Sequence, residues 1–160
     1  MTAFVGASLT NPATAAVFLA SGKGFGLGDR YVDSFGNEWI FVTASAAIAQ
    51  YDVVTLTSAF AASGISTSND ASGNLLGVAP AAFASVDYGF VQTKGACTMN
   101  VKASCAANVR LNTTATAGSP DDDGTSTTMA LQGIYLTTAR GGTDGSAPGI
   151  LNDPFVDVTL

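Results

Sequence analysis

The sequence contains no histidine. That removes the side chain that most often serves as general base near neutral pH and most often ligates metals. Charge is scarce as well: 6 Lys and Arg stand against 12 Asp and Glu in 160 residues, a net charge of −6. The cations lie far apart in the chain, so no basic stripe exists to follow a phosphate backbone, and nucleic-acid binding is not expected. No apolar run reaches the ~20 residues of a membrane-spanning helix. The apolar stretch AFVGASLTNPATAAVFLASG follows no Lys or Arg and is interrupted at Asn11-Pro12. It therefore lacks the positive start of a secretory signal, and synthesis in the cytosol is expected. Of the two cysteines, Cys97 is expected in a strand and Cys105 in the turn after it. That placement suits a bridge poorly, so both are read as packed free thiols in a reducing compartment.

Ala, Val, Gly, Ser and Thr fill the chain instead. This mixture favours short strands and tight turns over helices. Residues 1–36 differ from the rest, with Gly22, Gly24, Gly26, Gly28 and Gly36, scattered aromatics and no clean period. Such a segment does not fold alone, yet its aromatics need a surface to cover. It is read as an extended Gly/aromatic-rich N-terminal arm lying on a partner or a neighbouring copy, the other possibility being an arm folded back on its own domain. Residues 37–160 then form a β-rich domain. Trp39-Ile40-Phe41-Val42 is apolar on both faces, as a doubly buried strand would be. Further strands are expected at 52–57 and 75–79, the latter ended by Pro80, at 88–94 paired with 98–102, and around 109–113, 131–137 and 155–160. The stretch between Thr57 and Leu75, with Gly64, Asn69, Asp70 and Gly73, and "RGGTDGSAPG" read as loops. In the later strands Met99, Val101, Val109, Leu111, Thr113, Val156, Val158 and Leu160 are expected to face inward, with Thr98, Asn100, Lys102, Arg110 and Asn112 outward. About eight short strands at this spacing predict an all-β fold, a small β-barrel or β-sandwich.

A weak internal echo runs through "AAIAQYDVV" at 46–54, "AAFASVDYGFV" at 81–91 and, more loosely, "ASCAANVRL" at 103–111. Each has small residues, a larger apolar plug (Ile48, Phe83, Cys105), then Asp or Asn ahead of a strand. Asp and Asn in that position bond nearby backbone amides, so Asp87 is read as a turn-former and not a catalytic acid. "GKGFGLGD" at 22–29 has neither dinucleotide-fingerprint nor P-loop spacing. "SPDDDGTS" at 119–126 offers Asp121 and Asp123 as calcium ligands but lacks the rest of a calcium loop, and a Pro-initiated turn accounts for it. With no base beside any serine and no marked carboxylate pair, no enzyme activity, cofactor or metal is expected.

Three segments, "LGDRYVDSFGNEWIFVTASAAIAQYDVVTL", "LLGVAPAAFASVDYGFVQTKGACTMNVKASCAANVRLNTTATAG" and "LQGIYLTTARGGTDGSAPGILN", resemble the capsid decoration (cement, or head-stabilising) proteins of tailed bacteriophages. The likeness spans roughly residues 27–152 and rests on pattern, since none of its pieces is a catalytic motif. It implies a structural virion protein, made in the host cytoplasm, that sits on the outer capsid surface. It further implies binding across neighbouring major capsid protein subunits, self-association with a trimer favoured, and no nucleic-acid or membrane partner. On this reading the arm makes much of the capsid or neighbour contact, through Phe4, Phe18, Phe25 and Tyr31. The alternatives are a head or tail fibre component, for which longer repeats are expected, and a carbohydrate-binding β module with Trp39 as stacking residue. Trp39 lies in a continuous apolar run and is expected in the core.

Overall fold

The computed structural model describes residues 9–14, 16–17, 25–68 and 70–159 of the chain. Its regular structure is β1 (Arg30–Val32), β2 (Glu38–Ala44), β3 (Val53–Leu56), β4 (Ala61–Gly64), β5 (Leu75–Val78), β6 (Tyr88–Val101), β7 (Leu111–Asn112), β8 (Met129–Leu136) and β9 (Gly145–Thr159), with essentially no helix. All nine strands belong to one sheet in the order β1-β2-β4-β3-β5-β6-β9-β8-β7. Because β2 pairs with β6 as well as β4, the ladder from β2 through β4, β3 and β5 to β6 comes back to β2 and curls that half of the sheet. The sheet as a whole is not a closed barrel, since it begins at β1 and ends at β7. The all-β expectation holds.

The period-2 alternation of the strands sorts their side chains into three layers. Ile40, Val42 and Ala44 of β2 meet Val54 and Leu56 of β3, Val91 of β6, and Ile48 and Phe83 in one core. The other face of β3 sends Val53 into a second core with Leu76, Val78, Met99, Val101, Leu111, Leu131, Leu136, Leu151 and Val156. The other face of β2 presents Trp39 and Phe41, which form an aromatic layer with Phe90. β2 and β3 are thus buried on both sides, as the continuous apolar run from Trp39 to Val42 in β2 requires. Each such Val or Leu contributes about 1.5–3 kcal/mol relative to an exposed position.

The structure departs from the strand pattern in four places. Residues 88–102 do not form two paired strands: β6 is continuous over 14 residues. Opposite Glu38 and Trp39 it carries a bulge, which the Gln92 side chain stitches by donating to the carbonyls of Lys94 (3.0 Å) and Ala96 (2.9 Å). Gly95 follows at φ +100°, so the strand bends without ending. Next, the stretch read as a loop before residue 155 contains the first half of β9, which runs from Gly145 against β6. Pro148 is tolerated there because its carbonyl, not an amide, is used, accepting from Thr137 N–H at 2.9 Å. Ala61–Gly64, read as loose, is β4, parallel to β2 and antiparallel to β3. Finally, Asn112 is buried, because the 121 segment pairs with it from outside, while Val109, ahead of β7, and Val158, near the end of β9, are exposed, and Leu160 lies outside the described residues.

The three echoed segments share one backbone. Ile48 and Phe83 are a bridged antiparallel pair (Ile48 N to Phe83 O 3.0 Å, Phe83 N to Ile48 O 2.9 Å), and Ile48, Phe83 and Cys105 are all buried. Three residues after each plug the chain turns left-handed, at Tyr51 (φ 70°), Val86 (φ 65°) and Asn108 (φ 58°). Asp52 and Asp87 follow, and each accepts the amide of the residue three back, Ala49 at 2.8 Å and Ala84 at 2.9 Å. Asp87 is therefore a turn-former. Val86 pays most for this conformation, because a β-branched side chain at positive φ is strained and this one is exposed with little packing to compensate. Val86→Gly is expected to stabilise the protein by about 1 kcal/mol and raise its thermal midpoint by about 2–4 °C, measured by calorimetry.

Asp70 sits behind β3 and accepts Ser66 N–H at 3.0 Å, while its Oδ1 is buried without a hydrogen bond among the described residues. Burial pushes its carboxyl from 3.8 up to about 6, and the Ser66 amide, with the Thr55 hydroxyl nearby, only partly offsets this. A raised carboxyl favours the neutral form in the folded chain. The folded state is therefore unpenalised below pH 3.8, loses stability as pH rises through about 6, and stays at that lower level above it. Asp70→Asn keeps the acceptor and removes the charge. It is expected to stabilise at pH 7.5 by on the order of 1–2 kcal/mol, allowing for screening by solvent, with no gain at pH 3.5. Denaturant melts at the two pH values measure the difference.

Candidate interaction surface

Of the four aromatics expected to make contacts, Phe4 and Phe18 lie outside the described residues. Phe25 and Tyr31 rest on the aromatic layer of their own domain. The Phe25 ring centroid is 5.4 Å from that of Phe41 and 5.2 Å, edge-on, from that of Phe90, and Tyr31 is 6.4 Å from Phe90. Phe41 stacks against Tyr88 at 6.3 Å on the same layer. Leu9 packs there too, and Ala13 pairs with Tyr88 through hydrogen bonds of 2.7 and 2.8 Å. These parts of the 1–36 segment cover β2 and β6, and Arg30–Val32 joins the sheet as β1.

The most exposed large apolar side chain among the described residues is on the turn between β1 and β2. Phe35 is 89% exposed, and Val32, three residues before it, is 57% exposed. The turn beneath them is rigid. Asp33 Oδ1 accepts the amides of Phe35 (2.8 Å) and Asn37 (3.0 Å), and Oδ2 accepts Asn37 Nδ2 (2.9 Å) and Trp39 Nε1 (3.2 Å). Backbone bonds from Gly36 N to Asp33 O and from Asp33 N to Asn37 O close the hairpin. Desolvation raises the Asp33 carboxyl, but these side-chain and backbone donors together outweigh it and hold the group below the ordinary carboxylate range. The brace consequently persists in mild acid. Asn37 also leans against Gly95 in the β6 bulge, where any Cβ would overlap its carboxamide. At the hairpin base Glu38 pairs with Lys94 at 3.0 Å and with Arg30 at 3.8 Å.

Sequence reasoning counted Phe35 among the aromatics of the arm and did not single it out. The signal was present in Asp-Ser-Phe-Gly-Asn, an Asx-type turn between two apolar runs with a phenylalanine where a polar residue would serve. What sequence alone could not supply is the exposure. An aromatic residue on a braced backbone turn has less chain entropy to lose when it enters a pocket on another protein, which suits it to act as a binding anchor.

The remaining sequence candidates take structural places. Trp39 is buried with its indole N–H on Asp33, leaving no ring face for a sugar. In the "GKGFGLGD" stretch, Asp29 Oδ2 accepts Gly26 N–H at 2.7 Å and Gly28 lies beneath the Phe60 ring, so the described part is a turn leading into β1. Cys97 and Cys105 are both free thiols. Asp121, in the acidic turn, bridges to Asn112. No protein-family model matches the chain, and no curated protein matches it.

Proposed function

We propose that the protein is a structural virion component that binds the outer surface of a tailed-phage capsid and stabilises the shell across neighbouring major capsid protein subunits. The observation that carries this reading is Phe35, exposed on a hairpin turn that Asp33 braces, with Val32 exposed three residues before it. It provides an apolar anchor without any accompanying chemistry. The finer architecture we infer is a barrel-like half, where pairings lead back from β6 to β2, joined to a sandwich-like half in which β8 and β9 close over the second core. Such a body offers a rigid mount with little conformational freedom to lose on docking. Repetition over a capsid lattice lets each contact be modest, because many copies engaging one particle add avidity. The resemblance of residues 27–152 to capsid decoration proteins supports the same partner and self-association as a trimer. The test is to mix purified protein with heads of the parent phage that lack it and image them by electron microscopy. Regular added density on the outer shell, with greater resistance of the heads to heat, is expected. Bare shells at saturating protein would overturn the proposal.

A further inference from the structure

We infer that Cys105, Asp121, Asp122 and Asn112 form a binding site for a divalent cation of borderline softness, of the Zn²⁺ type. The thiol sulfur and one carboxylate oxygen from each aspartate all lie within 4.8 Å of one another. In a four-coordinate zinc site, with metal–sulfur bonds of about 2.3 Å and metal–oxygen bonds of about 2.1 Å, neighbouring ligand atoms stand about 3.5 Å apart. Closing the cluster onto an ion therefore takes side-chain movements of about an ångström.

Asn112 supplies the independent observation. It is 1% exposed, and its Oδ1 is buried without a hydrogen bond among the described residues. The Asn112 and Asp121 backbones exchange both hydrogen bonds, at 2.7 and 3.1 Å. Residues directly opposite in an antiparallel pair point to the same face, so the Asn112 carboxamide stands beside the Asp121 carboxyl. Its Nδ2 donates to the Asp122 carbonyl at 3.3 Å, which turns the amide toward this segment and leaves Oδ1 as an unused lone-pair donor. A buried oxygen in that state calls for a ligand.

A cation bound among two carboxylates and a thiol would balance their charge and displace the thiol proton as it binds. One sulfur with three oxygens favours a zinc-type ion over calcium, which takes oxygen ligands alone. The sequence kept this hidden, because the acidic turn looks like a calcium loop without its glutamate and the sulfur comes from a different turn. Bound metal would tie the 119–124 turn to the third echoed turn, the one holding Cys105. This inference stands independently of the capsid reading.

The test is titration of the full-length, metal-free protein with Co²⁺, followed by absorbance, and with Zn²⁺, followed by thermal melting. Expected are a thiolate-to-cobalt charge-transfer band saturating at one ion per chain, its displacement by Zn²⁺, and a higher midpoint in Zn²⁺ than in Ca²⁺. The band should survive Cys97→Ser and vanish in Cys105→Ser. Because Cys105 also packs in the core, Asp122→Asn is the second variant. It should weaken Co²⁺ binding at least tenfold with the metal-free midpoint unchanged. Absence of a thiolate band, its loss with Cys97 instead of Cys105, or undiminished affinity in Asp122→Asn would overturn the proposal.

Discussion

Phe35→Ala is expected to lower affinity for capsids by about 100-fold or more while leaving the thermal midpoint unchanged. The second half follows from exposure: a ring 89% open to solvent contributes almost nothing to the folded domain, so its removal leaves no cavity. The first half follows from how binding energy concentrates. Aromatic anchors that fill a partner's pocket typically cost about 2 kcal/mol or more when truncated, and a factor of 100 corresponds to about 2.8 kcal/mol. A companion variant separates the anchor from its mount. Asp33→Ala keeps the ring but removes acceptors for the Phe35 and Asn37 amides and the Trp39 indole. It should weaken binding less than Phe35→Ala, through the added entropy of ordering the turn. Binding is measured by co-sedimentation with heads at low occupancy, where avidity does not hide the loss. Equal binding of Phe35→Ala and the parent protein would remove the hairpin from the interface.

Local chemistry made much of this fold readable. The doubly apolar run from Trp39 to Val42 announced β2, and Asp87 announced a turn, because the side chain and the Ala84 amide it accepts lie only three residues apart. The echo was visible as small residues, plug and acid, and the structure adds the left-handed residue between plug and acid that the letters do not show. Non-local effects were hidden. The continuity of β6 depends on Gln92 spanning a bulge and on β9 pairing across Gly95, so the letters between Lys94 and Thr98 read as a gap between two strands. Gly145 to Gly149 carries turn-forming residues yet is strand, because a long partner already offers the ladder. Asn112 alternates as an outward residue should, until a segment nine residues later covers it. The same limit applied to the surface: the turn at Asp33 could be read, but the exposure of Phe35 depends on where the rest of the sheet goes.

Phe83→Ala should be among the most damaging single substitutions in the chain, destabilising by about 3–5 kcal/mol and lowering the midpoint by about 10 °C. The ring is buried in the core shared by Val42, Val54, Leu56 and Val91, at the open end of the curl between β2 and β6. Its segment is held there by the two backbone bonds to Ile48, with Val86 N–H donating to the Ala44 carbonyl and Ala44 N–H to the Asp87 carbonyl. Natural domains of this size have only about 5–15 kcal/mol in total, so a loss of this size leaves a visibly weakened protein. Ile48→Ala should cost about 2–5 kcal/mol by the same reasoning. Because the two side chains stand opposite each other on one face, the double variant should lose less than the sum, with a coupling of about 0.5–3 kcal/mol. Urea melts of the four proteins measure the cycle. Strict additivity would mean that the echoed plugs fill separate holes and that the symmetry between residues 46–54 and 81–91 is one of backbone alone.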